Sequence, residues 1–342
     1  MKYGLIILTI LMGSIFATAQ ETVTDSVMVA FWNLENFFDP FVDSTRSYNE
    51  YTETGGQHWT VSRFYRKRNN LYKAILHFSR QQAIGIMGVC EVENDYVLNA
   101  LFGQTPLRQF NYRWVHYEGP DRRGIDPAIV YSMDRFQLLY SEPVPYRNPN
   151  DTTMVSRDIL YAKFFDYRED TLHCFVNHWP SKYRGELETD EARNCAARIL
   201  RHKIDSIVAA TTDSPKIIVM GDFNDTPDAH CLYEVLGARS PSECHGENAL
   251  VNLFANPKTL GFKGTLKYQE SWMVYDQIIV SKSLLNSKML HCNSSDARIV
   301  HEDVLLEDDR SYQGQKLNRT YLGPKYHGGF SDHLPVMLLL RY

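Results

Sequence analysis

The chain has 342 residues, of which 44% are hydrophobic and 23% are charged, and its formal net charge is −5. A chain of this length can bury a sizeable core, and its composition is that of a globular protein without low-complexity tracts or fixed-period repeats. The acidic net charge argues against broad, nonspecific binding to nucleic acid, although it leaves room for a local basic patch.

Residues 1–20 have the three parts of a secretory signal peptide. Lys2 precedes an apolar run at residues 5–16, and the small-residue sequence ATA follows that run. We therefore expect this segment to be removed on export, so that the mature protein is secreted or periplasmic. No Gly/Ser/Pro-rich linker divides the remainder, so we expect residues 21–342 to form one domain. No later run is apolar enough to span a bilayer, which predicts no stable membrane insertion.

The chain contains six cysteines, which in an exported protein raise the question of disulfides. Cys90 and Cys174 lie in apolar, strand-like runs, where a small buried thiol is expected. Cys231 and Cys244 flank a loop-like segment and are the best candidates for a single bridge. The spacing of the cysteines matches no zinc-binding pattern. We therefore expect the hydrophobic core, and not cysteine cross-links, to stabilise the fold.

Runs of apolar residues alternate with helical patterns along the chain. The strand patterns, in chain order, lie at residues 27–38, 83–94, 126–132, 136–141, 160–167, 172–180, 216–225, 271–281 and 334–342. Apolar periodicity predicts helices at residues 61–79 and 186–209, and a shorter one at 229–236. Some strands follow each other as hairpins and others are separated by helices. The pattern therefore predicts an α/β (α+β) fold in which two mixed sheets pack face to face with helices outside.

Polar side chains stand where these apolar strands end. They are Asn33, Glu35, Glu91, Glu93, Asn177, His178, Asp222, Asn224, Asp276, Asp332 and His333. A single carboxylate beside a strand is ordinarily a solvated turn residue. When several strand ends converge, however, the same groups form one acidic cleft that contains histidine. Carboxylates in that number repel one another without a cation, and oxygen ligands without thiolate suit Mg²⁺, with Mn²⁺ or Ca²⁺ as alternatives.

Six short blocks carry a resemblance to a known superfamily. In order they are WNLEN, EVEN, NHWPS, GDFND, DQIIVS and SDHLP, and they run from Asn33 to His333. The series resembles that of the endonuclease/exonuclease/phosphatase superfamily, which includes pancreatic-type deoxyribonuclease, abasic-site endonucleases, bacterial sphingomyelinases and inositol polyphosphate phosphatases. The likeness is to its exported bacterial branch. It implies a four-layer α/β/β/α sandwich and metal-dependent cleavage of a phosphate ester.

The resemblance also implies which residues hold the metal. Glu91 matches the family's metal-binding glutamate, Asp332 lies beside the metal, and Glu35 occupies a variable position near it. Cys90 stands where many relatives have glutamine, a departure that affects a supporting hydrogen bond and not the metal site. A Mg²⁺ ion held in this way would supply Lewis acidity.

A further group of matching residues surrounds the reacting phosphate. Asp222 and Asn224 match the pair that orients or deprotonates the attacking water and holds a phosphate oxygen. His333 matches the histidine that contacts the scissile phosphate, and Asp276 the carboxylate that orients it. His178 resembles a histidine of the deoxyribonuclease and sphingomyelinase branches. Which of Asp222, His178 and His333 is the base and which is the acid stays open at this stage.

Other residues are predicted to bind the substrate. Asn33 matches the asparagine that hydrogen-bonds within the site, and Asn177 stands beside His178 in the NHWPS block. Arg123 precedes a strand and Arg184 follows the same block. A guanidinium suits bidentate contact with phosphate, which favours that role for both arginines.

The favoured function is an exported, Mg²⁺-dependent nuclease, acting as a monomer on DNA, RNA or both. The alternative is a phosphoesterase that acts on a phospholipid head group or on a soluble sugar or inositol phosphate. The acidic charge and the absence of a long Lys/Arg stripe support this alternative. The sequence offers no exposed aromatic hairpin for reaching a bilayer, which favours a soluble polyanion. A binding protein without catalysis is a third hypothesis, and the complete set of motif residues argues against it.

Overall fold

Two β-sheets packed face to face form the centre of the fold in the computed structural model. The structure describes residues 26–43, 48–149, 151, 154–168, 170–182 and 185–342. The predicted signal peptide at residues 1–20 and the predicted phosphate-binding Arg184 lie outside the described residues. Within them, the predicted mixed α/β organisation is confirmed.

Strands dominate the chain, and helices are inserted between some of them. The strands are β1 (Ser26–Phe37), β2 (Ile84–Val92), β3 (Tyr112–His116), β4 (Asp126–Ser132), β5 (Phe136–Val144), β6 (Ile159–Asp166), β7 (Asp170–His178), β8 (Lys216–Asp222), β9 (Ala238–Arg239), β10 (Leu250–Asn252), β11 (Leu266–Tyr268), β12 (Ser271–Met273), β13 (Asp276–Ser281), β14 (Ala297–Ile299), β15 (Leu306–Asp308), β16 (Gln315–Leu317), β17 (Tyr321–Leu322), β18 (Lys325–Tyr326) and β19 (Val336–Arg341). The α-helices are α1 (Val61–Phe78), α2 (Asp95–Leu98), α3 (Glu186–Ala210) and α4 (Lys282–Asn286). Short 3₁₀ segments lie at Pro106–Phe110, Pro257–Thr259, Ser294–Asp296 and Asp303–Leu305, and π-helical turns lie at Asn99–Gly103 and Cys231–Val235. The helix predicted at 229–236 is therefore reduced to a single π-helical turn.

Each large sheet mixes parallel and antiparallel neighbours. The first has the strand order β14-β19-β1-β2-β4-β3, and the second has the order β5-β6-β7-β8-β13-β10-β9. β1 runs parallel to β2, and β7 runs parallel to β8, whereas β13 runs antiparallel to β8. A helix connects the strands of each of these two parallel pairs along the chain, as expected for crossover connections, whereas the described residues 240–249, which join the short parallel pair β9–β10, form no helix.

A helix covers the outer face of each sheet. α1 packs Phe64 against Phe37 of β1, with the rings stacked and their centroids 5.5 Å apart. α3 contributes Leu200 and Ile204 to a buried cluster that also contains Val219 of β8. The layers are therefore α/β/β/α, and the four-layer sandwich is confirmed. Among the described residues, none of the helices has both the length and the apolar character needed to cross a membrane.

The predicted continuous strand at residues 271–281 is divided in the structure. β12 pairs with β11 in a separate hairpin, and β13 begins only at Asp276. Thr265 explains the break, because its hydroxyl accepts the backbone N–H groups of Tyr275 and Asp276, each at 3.1 Å. A side chain thus satisfies donors that a strand ladder would otherwise satisfy. The apolar pattern alone does not indicate that a threonine hydroxyl takes the place of a strand partner here.

All six cysteines lie within the described residues, and all are free. The thiol of Cys244 donates to the carbonyl oxygen of Leu250 at 3.1 Å, and the thiol of Cys231 lies 3.9 Å from a carboxylate oxygen of Asp225. Each thiol is thus directed at its own neighbours. The bridge expected between Cys231 and Cys244 is therefore absent from the structure.

The inner faces of the two sheets approach each other closely at Gly88 of β2. A Cβ atom at this position would lie 2.8 Å from the sulfur of Met220 and 2.8 Å from a methyl group of Val176, both on the facing sheet. Interiors packed at this density do not accept an added side chain without displacing their neighbours.

We predict that Gly88→Val lowers the free energy of unfolding by about 2 kcal/mol, because the added side chain overpacks the interface between the sheets. Urea denaturation measures this change. Gly56→Ala is the matched control: its new Cβ would meet only the movable carboxylate end of Glu50, so a change within about 0.5 kcal/mol is expected. Equal stability of the two variants would contradict the sheet packing described above.

Candidate active site

Strand register places ionisable side chains side by side at one edge of the second sheet. His178 at the end of β7 pairs with Asp222 at the end of β8, and Asp222 pairs with Asp276 at the start of β13. Their exposed fractions are 3%, 1% and 0%. Because side chains alternate across a strand, His178 and Asp222 share the inner face with Val176 and Met220. These predicted catalytic groups therefore line the cleft between the sheets.

His333 completes this row from the other sheet. Its Nδ1 lies 2.7 Å from Oδ2 of Asp276, and its Nε2 lies 3.7 Å from Oδ2 of Asp222. Trp32 of β1 fixes the backbone here, because its indole N–H donates to the carbonyl oxygen of His333 at 2.9 Å. Burial alone would lower the pKa of His333, but the carboxylates of Asp276 and Asp222 more than offset it and raise the pKa well above its usual range. His333 is therefore positively charged at neutral pH.

His178 has the opposite protonation state. Burial, together with the positive charges of Arg157 and Arg123, lowers its pKa well below the usual range. Nη2 of Arg157 donates to Nε2 of His178 at 3.0 Å, which assigns the proton of the neutral ring to Nδ1. The same Nε2 lies 3.7 Å from Oε1 of Glu91 and 3.7 Å from Oδ2 of Asp222. The site thus contains one neutral and one charged imidazole. Because their pKa values are shifted in opposite directions, the two histidines can take different roles.

Amide groups fix the carboxylate of Asp222. Nδ2 of Asn33 donates to its Oδ2 at 3.1 Å, and the backbone N–H of Asn224 donates to its Oδ1 at 2.9 Å. Asn33 is itself oriented, because its Oδ1 accepts the backbone N–H of Glu35 at 2.9 Å. Burial raises the pKa of Asp222 to about 6, although the charge of His333 opposes the rise. Asp222 is therefore ionised at pH 7 and is more basic than an exposed aspartate.

Several site residues have a left-handed backbone conformation that is uncommon for residues with a side chain. The angle φ is 51° at Glu35, 60° at Glu91 and 51° at Asn224. At Glu91 a bulge accompanies it, because the register of β2 against β4 shifts between Val89 and Val92. Such conformations concentrate at functional sites. They change the direction in which strand-end side chains point, which a period-two pattern does not predict.

The carboxylates of the cleft suit a hard divalent cation. Oε2 of Glu91 accepts the backbone N–H of Asn36 at 2.7 Å, while Oε1 faces the same imidazole nitrogen as Asp222 does. Asp332 contributes a further carboxylate, whose Oδ2 accepts Nη2 of Arg319 at 2.7 Å. Carboxylate oxygens without thiolate are the donors that Mg²⁺, Mn²⁺ and Ca²⁺ prefer. Glu91 and Asp332 therefore offer oxygen donors of the kind that such an ion prefers.

A different set satisfies a distance criterion alone. Ligand atoms of Asp222, Asp276 and His333 lie within 4.8 Å of one another. The 2.7 Å hydrogen bond to Asp276 already occupies Nδ1 of His333. A protonated imidazole also has no lone pair to offer a metal. We therefore assign this trio to proton and phosphate chemistry and not to metal binding.

Glu35, which the sequence placed near the metal, is engaged elsewhere. Its Oε2 accepts the backbone N–H of Thr320 at 2.6 Å. Its Oε1 accepts Nε of Arg319 and the backbone N–H of Tyr321, each at 3.3 Å. Since both oxygens bind the segment 319–321, Glu35 anchors that segment instead of presenting an open ligand atom. The predicted metal-binding role therefore receives no support from its placement.

Lys67 is a buried cation close to the carboxylate of Glu35. Its ammonium group donates to the hydroxyl of Thr320 and, at 3.1 Å, to the carbonyl oxygen of Phe330. Burial lowers its pKa to about 8, although the carboxylates of Glu35 and Asp332 oppose the fall. Lys67 belongs to α1, so it connects the outer helix to the loop segments that lead to the catalytic row.

The predicted substrate-binding residues do not all lie in the cleft. The side-chain oxygen of Asn177 accepts the indole N–H of Trp179 at 3.0 Å, and its Nδ2 donates to the carbonyl oxygen of Met220 at 3.3 Å. Asn177 is one residue from His178 on β7, so its side chain lies on the opposite face of the strand. The structure therefore does not bring Asn177 to the substrate, whereas Asn33 lies beside Asp222.

Arg123 does lie close to the catalytic row. Its Nε is 3.7 Å from Oδ1 of Asp121, and Nε of Arg157 is 3.5 Å from Oδ2 of the same carboxylate. The side chain of Arg123 is 35% exposed, so part of the guanidinium remains accessible. Asp121 thus holds two arginines beside His178, where they can face a phosphate.

Sequence analysis missed Arg157, Lys67 and Arg319, whose contacts define the site. Each lies in a polar loop or on an amphipathic helix, where a basic residue is ordinarily solvated. Lys67 could have been found, because it stands three residues after Phe64 and four before Leu71 on the apolar stripe of α1. No comparable signal marks Arg157 or Arg319.

Comparison with known proteins places this architecture in a family. A sequence profile described as Endonuclease/Exonuclease/phosphatase family matches residues 28–342. Among curated proteins there is no match.

Solved structures share the fold over most of this chain. A mannosyl-6-phosphatase from Bacteroides thetaiotaomicron has 15% identity and a TM-score of 0.56, and covers 92% of this chain and 100% of its own. D. rerio TDP2 complexed with a single-strand DNA product has 15% identity and a TM-score of 0.53, and covers 93% and 99%. ANGEL2, a 2′,3′-cyclic phosphatase, has 16% identity and a TM-score of 0.58, and covers 92% and 95%. At such identities the likeness concerns the fold.

We predict that His333 is protonated and His178 is neutral at pH 7, and that Asp276→Asn lowers the pKa of His333 because it removes the nearest negative charge. Imidazole chemical shifts followed by NMR as a function of pH measure both pKa values. Asp213→Asn, an exposed change before β8, should leave them unaltered. A neutral His333 in the wild-type protein at pH 7 would contradict the assignment.

We predict that Lys67→Met lowers the free energy of unfolding by about 3 kcal/mol, because it removes one of the cations beside the buried carboxylate of Glu35 and that of Asp332. Lys73→Met, an exposed position on the same helix, should change it by no more than about 0.5 kcal/mol. Chemical denaturation of both variants decides the matter, and equal losses would show that Lys67 has no special role.

Proposed function

The chain belongs to the endonuclease/exonuclease/phosphatase family, whose members are phosphoric ester hydrolases, and from this premise we propose that it is a divalent-metal-dependent phosphodiesterase that cleaves nucleic acid. The convergence of His178, Asp222, Asp276 and His333 in one buried row carries the proposal. Hydrolysis of a phosphate ester needs an acceptor for the proton of water and a positive group for the phosphate oxygens, and this row contains both.

Asp222 is the proposed general base. Its carboxylate is held by Asn33 and by the backbone of Asn224, so its direction is fixed before substrate arrives. A pKa of about 6 leaves it ionised at neutral pH yet able to accept a proton from the attacking water.

His333 is the proposed contact to the nonbridging phosphate oxygens. Its Nδ1–H is used by Asp276, so Nε2–H is the group that remains for substrate. A charged imidazole fixed in this way stabilises negative charge that grows in the transition state. Arg157 and Arg123 beside His178 supply further positive charge on the same side of the cleft.

A divalent ion bound by Glu91 and Asp332 would polarise a phosphoryl oxygen and lower the negative charge of the reacting group. The hard oxygen donors favour Mg²⁺, with Mn²⁺ or Ca²⁺ as the alternatives.

A phosphoesterase that acts on a sugar or inositol phosphate, or on a lipid head group, is the second candidate. The cavity beside Asn224 favours the small soluble esters, because the side chains around it include both carboxylates and amides. A related fold occurs in the mannosyl-6-phosphatase of Bacteroides thetaiotaomicron, which supports the same alternative. The wild-type protein assayed on plasmid DNA, RNA, sphingomyelin and a soluble phosphomonoester separates the candidates.

Export is proposed on the basis of residues 1–20, in which a lysine, an apolar run and the sequence ATA follow one another. The N-terminal sequence of the protein recovered from the periplasm or medium of an expressing cell tests this. Cleavage near residue 20 is expected, and an uncut N-terminus retained in the cytoplasm would refute it. The same sample, on a sizing column with light scattering, tests the proposed monomer.

We predict that His333→Ala, Asp222→Asn and Glu91→Ala each reduce turnover of a phosphodiester by at least ~100-fold, and that EDTA abolishes it. Steady-state rates with Mg²⁺ measure the loss, and circular dichroism checks that each variant is folded. Asn177→Ser is the informative comparison, because its side chain lies behind the strand and its loss should act on stability more than on rate. Activity like that of the wild type in any of the first three variants would place the site elsewhere.

We predict that cleavage of nucleic acid slows as the salt concentration rises from low to physiological strength, because contacts with phosphates displace bound counterions. Initial rates on one DNA substrate across this range provide the measurement, with a small soluble phosphoester as the control. Salt-independent cleavage of DNA would argue against a nucleic-acid substrate.

A further inference from the structure

A large cavity opens beside the catalytic row. Its volume is about 1260 Å³, which is ample for a group larger than a single phosphate. Asn224 lines it, and the backbone N–H of Asn224 also binds Asp222. Tyr275 lines it as well and immediately precedes Asp276. Asn224 is thus the point at which a substrate whose phosphate lies on the catalytic row would reach this space.

The cavity has one polar wall and one largely apolar wall. The polar wall comes from the segments that follow β7 and β8 and from the start of α3, and includes Ser181, Asn194, Asn224, Thr226, Asp228 and His230. The apolar wall comes from the β11–β12 hairpin and the residue before β13, and includes Leu266, Tyr268, Met273 and Tyr275. Tyr268 is 66% exposed, so its ring is accessible from the cavity mouth.

The basic side chains of the lining form ion pairs with acidic side chains of the same lining. Asp225 lies 2.8 Å from Nζ of Lys182 and 2.8 Å from Nε of Arg193. Arg193 is also bonded to Asp190. Asp228 then adds a carboxylate, so that among the lining residues that the structure describes the acidic side chains exceed the basic ones. A second phosphate in this space would meet negative charge that the wall does not neutralise.

The remaining chemistry of the cavity suits a neutral ring with hydroxyl groups. Hydroxyl, amide and carboxylate side chains donate and accept the hydrogen bonds that such a ring requires. Tyrosine and apolar side chains on the other side provide a surface for the flat face of a base or the C–H face of a sugar. The combination of convergent polar groups with an apolar wall is that of a small-molecule pocket.

We propose that this cavity binds an uncharged, hydroxylated ring group attached to the scissile phosphate, with Asp228 and Tyr268 as its selective residues. The inference rests on the proposed function, because it describes what the reacting phosphate carries. The group is either the nucleoside at the end of a nucleic acid or the hexose of a sugar phosphate, and it bears no second phosphate inside the cavity. Terminal phosphodiester bonds are then preferred to internal ones.

Binding without catalysis tests the cavity by itself. Adenosine and methyl mannoside, neither of which carries a phosphate, are titrated into the wild-type protein and followed by NMR or calorimetry. At least one should bind, and Tyr268→Ala should weaken it by roughly tenfold through lost stacking. Tyr167→Ala, which removes an exposed tyrosine from the β6–β7 turn, is the matched control and should have no effect. Absence of binding by both compounds would overturn the proposal.

Hydrolysis then tests the charge preference. A dinucleoside monophosphate is compared with forms that carry an additional phosphate at the 5′ or the 3′ end, and a hexose 6-phosphate provides the sugar arm. The cavity predicts that one added terminal phosphate lowers kcat/KM by about tenfold or more. Asp228→Lys should reduce that difference, whereas Asp213→Lys, at an exposed position outside the cavity, should preserve it.

The outcomes separate the two proposals. If no phosphate ester is hydrolysed while adenosine or the mannoside binds in a Tyr268-dependent manner, the proposed function fails and the cavity assignment stands. If the esters are hydrolysed at equal rates with and without the extra phosphate, and Asp228→Lys changes nothing, the cavity assignment fails and the proposed function stands.

Discussion

The ion pair between Asp276 and His333 joins the two sheets at the edge where the reactive groups meet. Asp276 begins a strand of the second sheet, and His333 lies just before the last strand of the first. A carboxylate and an imidazole that are both buried are stable as ions only with each other, since neither has water to solvate it. Asp276 raises the pKa of His333, and the charge of His333 in turn opposes the rise in the pKa of Asp222, to which Asp276 itself adds. Without this contact, His333 would lose its nearest negative charge.

The groups around the pair follow from the need to compensate buried charge. Burial lowers the pKa of His178, and Arg157, which lies against it, adds to this effect, while Asp121 lies between Arg157 and Arg123. On the other side, Lys67 is buried behind Glu35. Such networks cost free energy to desolvate and contribute little net stability. Their presence at one edge of an otherwise apolar sandwich therefore indicates selection for function.

The fold was largely predictable from the sequence because apolar alternation and helical periodicity are local properties. Helices α1 and α3 begin where periodicity places them, and the blocks around Asp222 and His178 are strands that end at polar residues, as expected. The strand predicted across residues 271–281 was wrong because a single hydroxyl, that of Thr265, satisfies backbone donors from a distance in sequence. Short edge strands such as β9 and β14 carry too few residues to show a period at all.

The site was predictable in its residue types and less so in its geometry. The motif blocks name Asp222, Asp276 and His333, and register then brings them together. Whether a strand-end residue faces the cleft depends on which face of the strand its side chain occupies and on left-handed backbone angles. For that reason the sequence predicts roles for Asn177 and Glu35 that their placement does not support. The states of the two histidines depend on buried neighbours from other segments, which no local pattern contains.

A double-mutant cycle on Asp276 and His333 tests most directly whether this pair is one catalytic unit. Turnover of a phosphodiester is measured for the wild type, for Asp276→Asn, for His333→Gln and for the double variant, each checked for folding. If Asp276 acts through His333, the double variant should be no slower than the His333 variant alone, because residues that act together have non-additive effects. Losses that multiply would mean that the two residues act independently and would contradict the account.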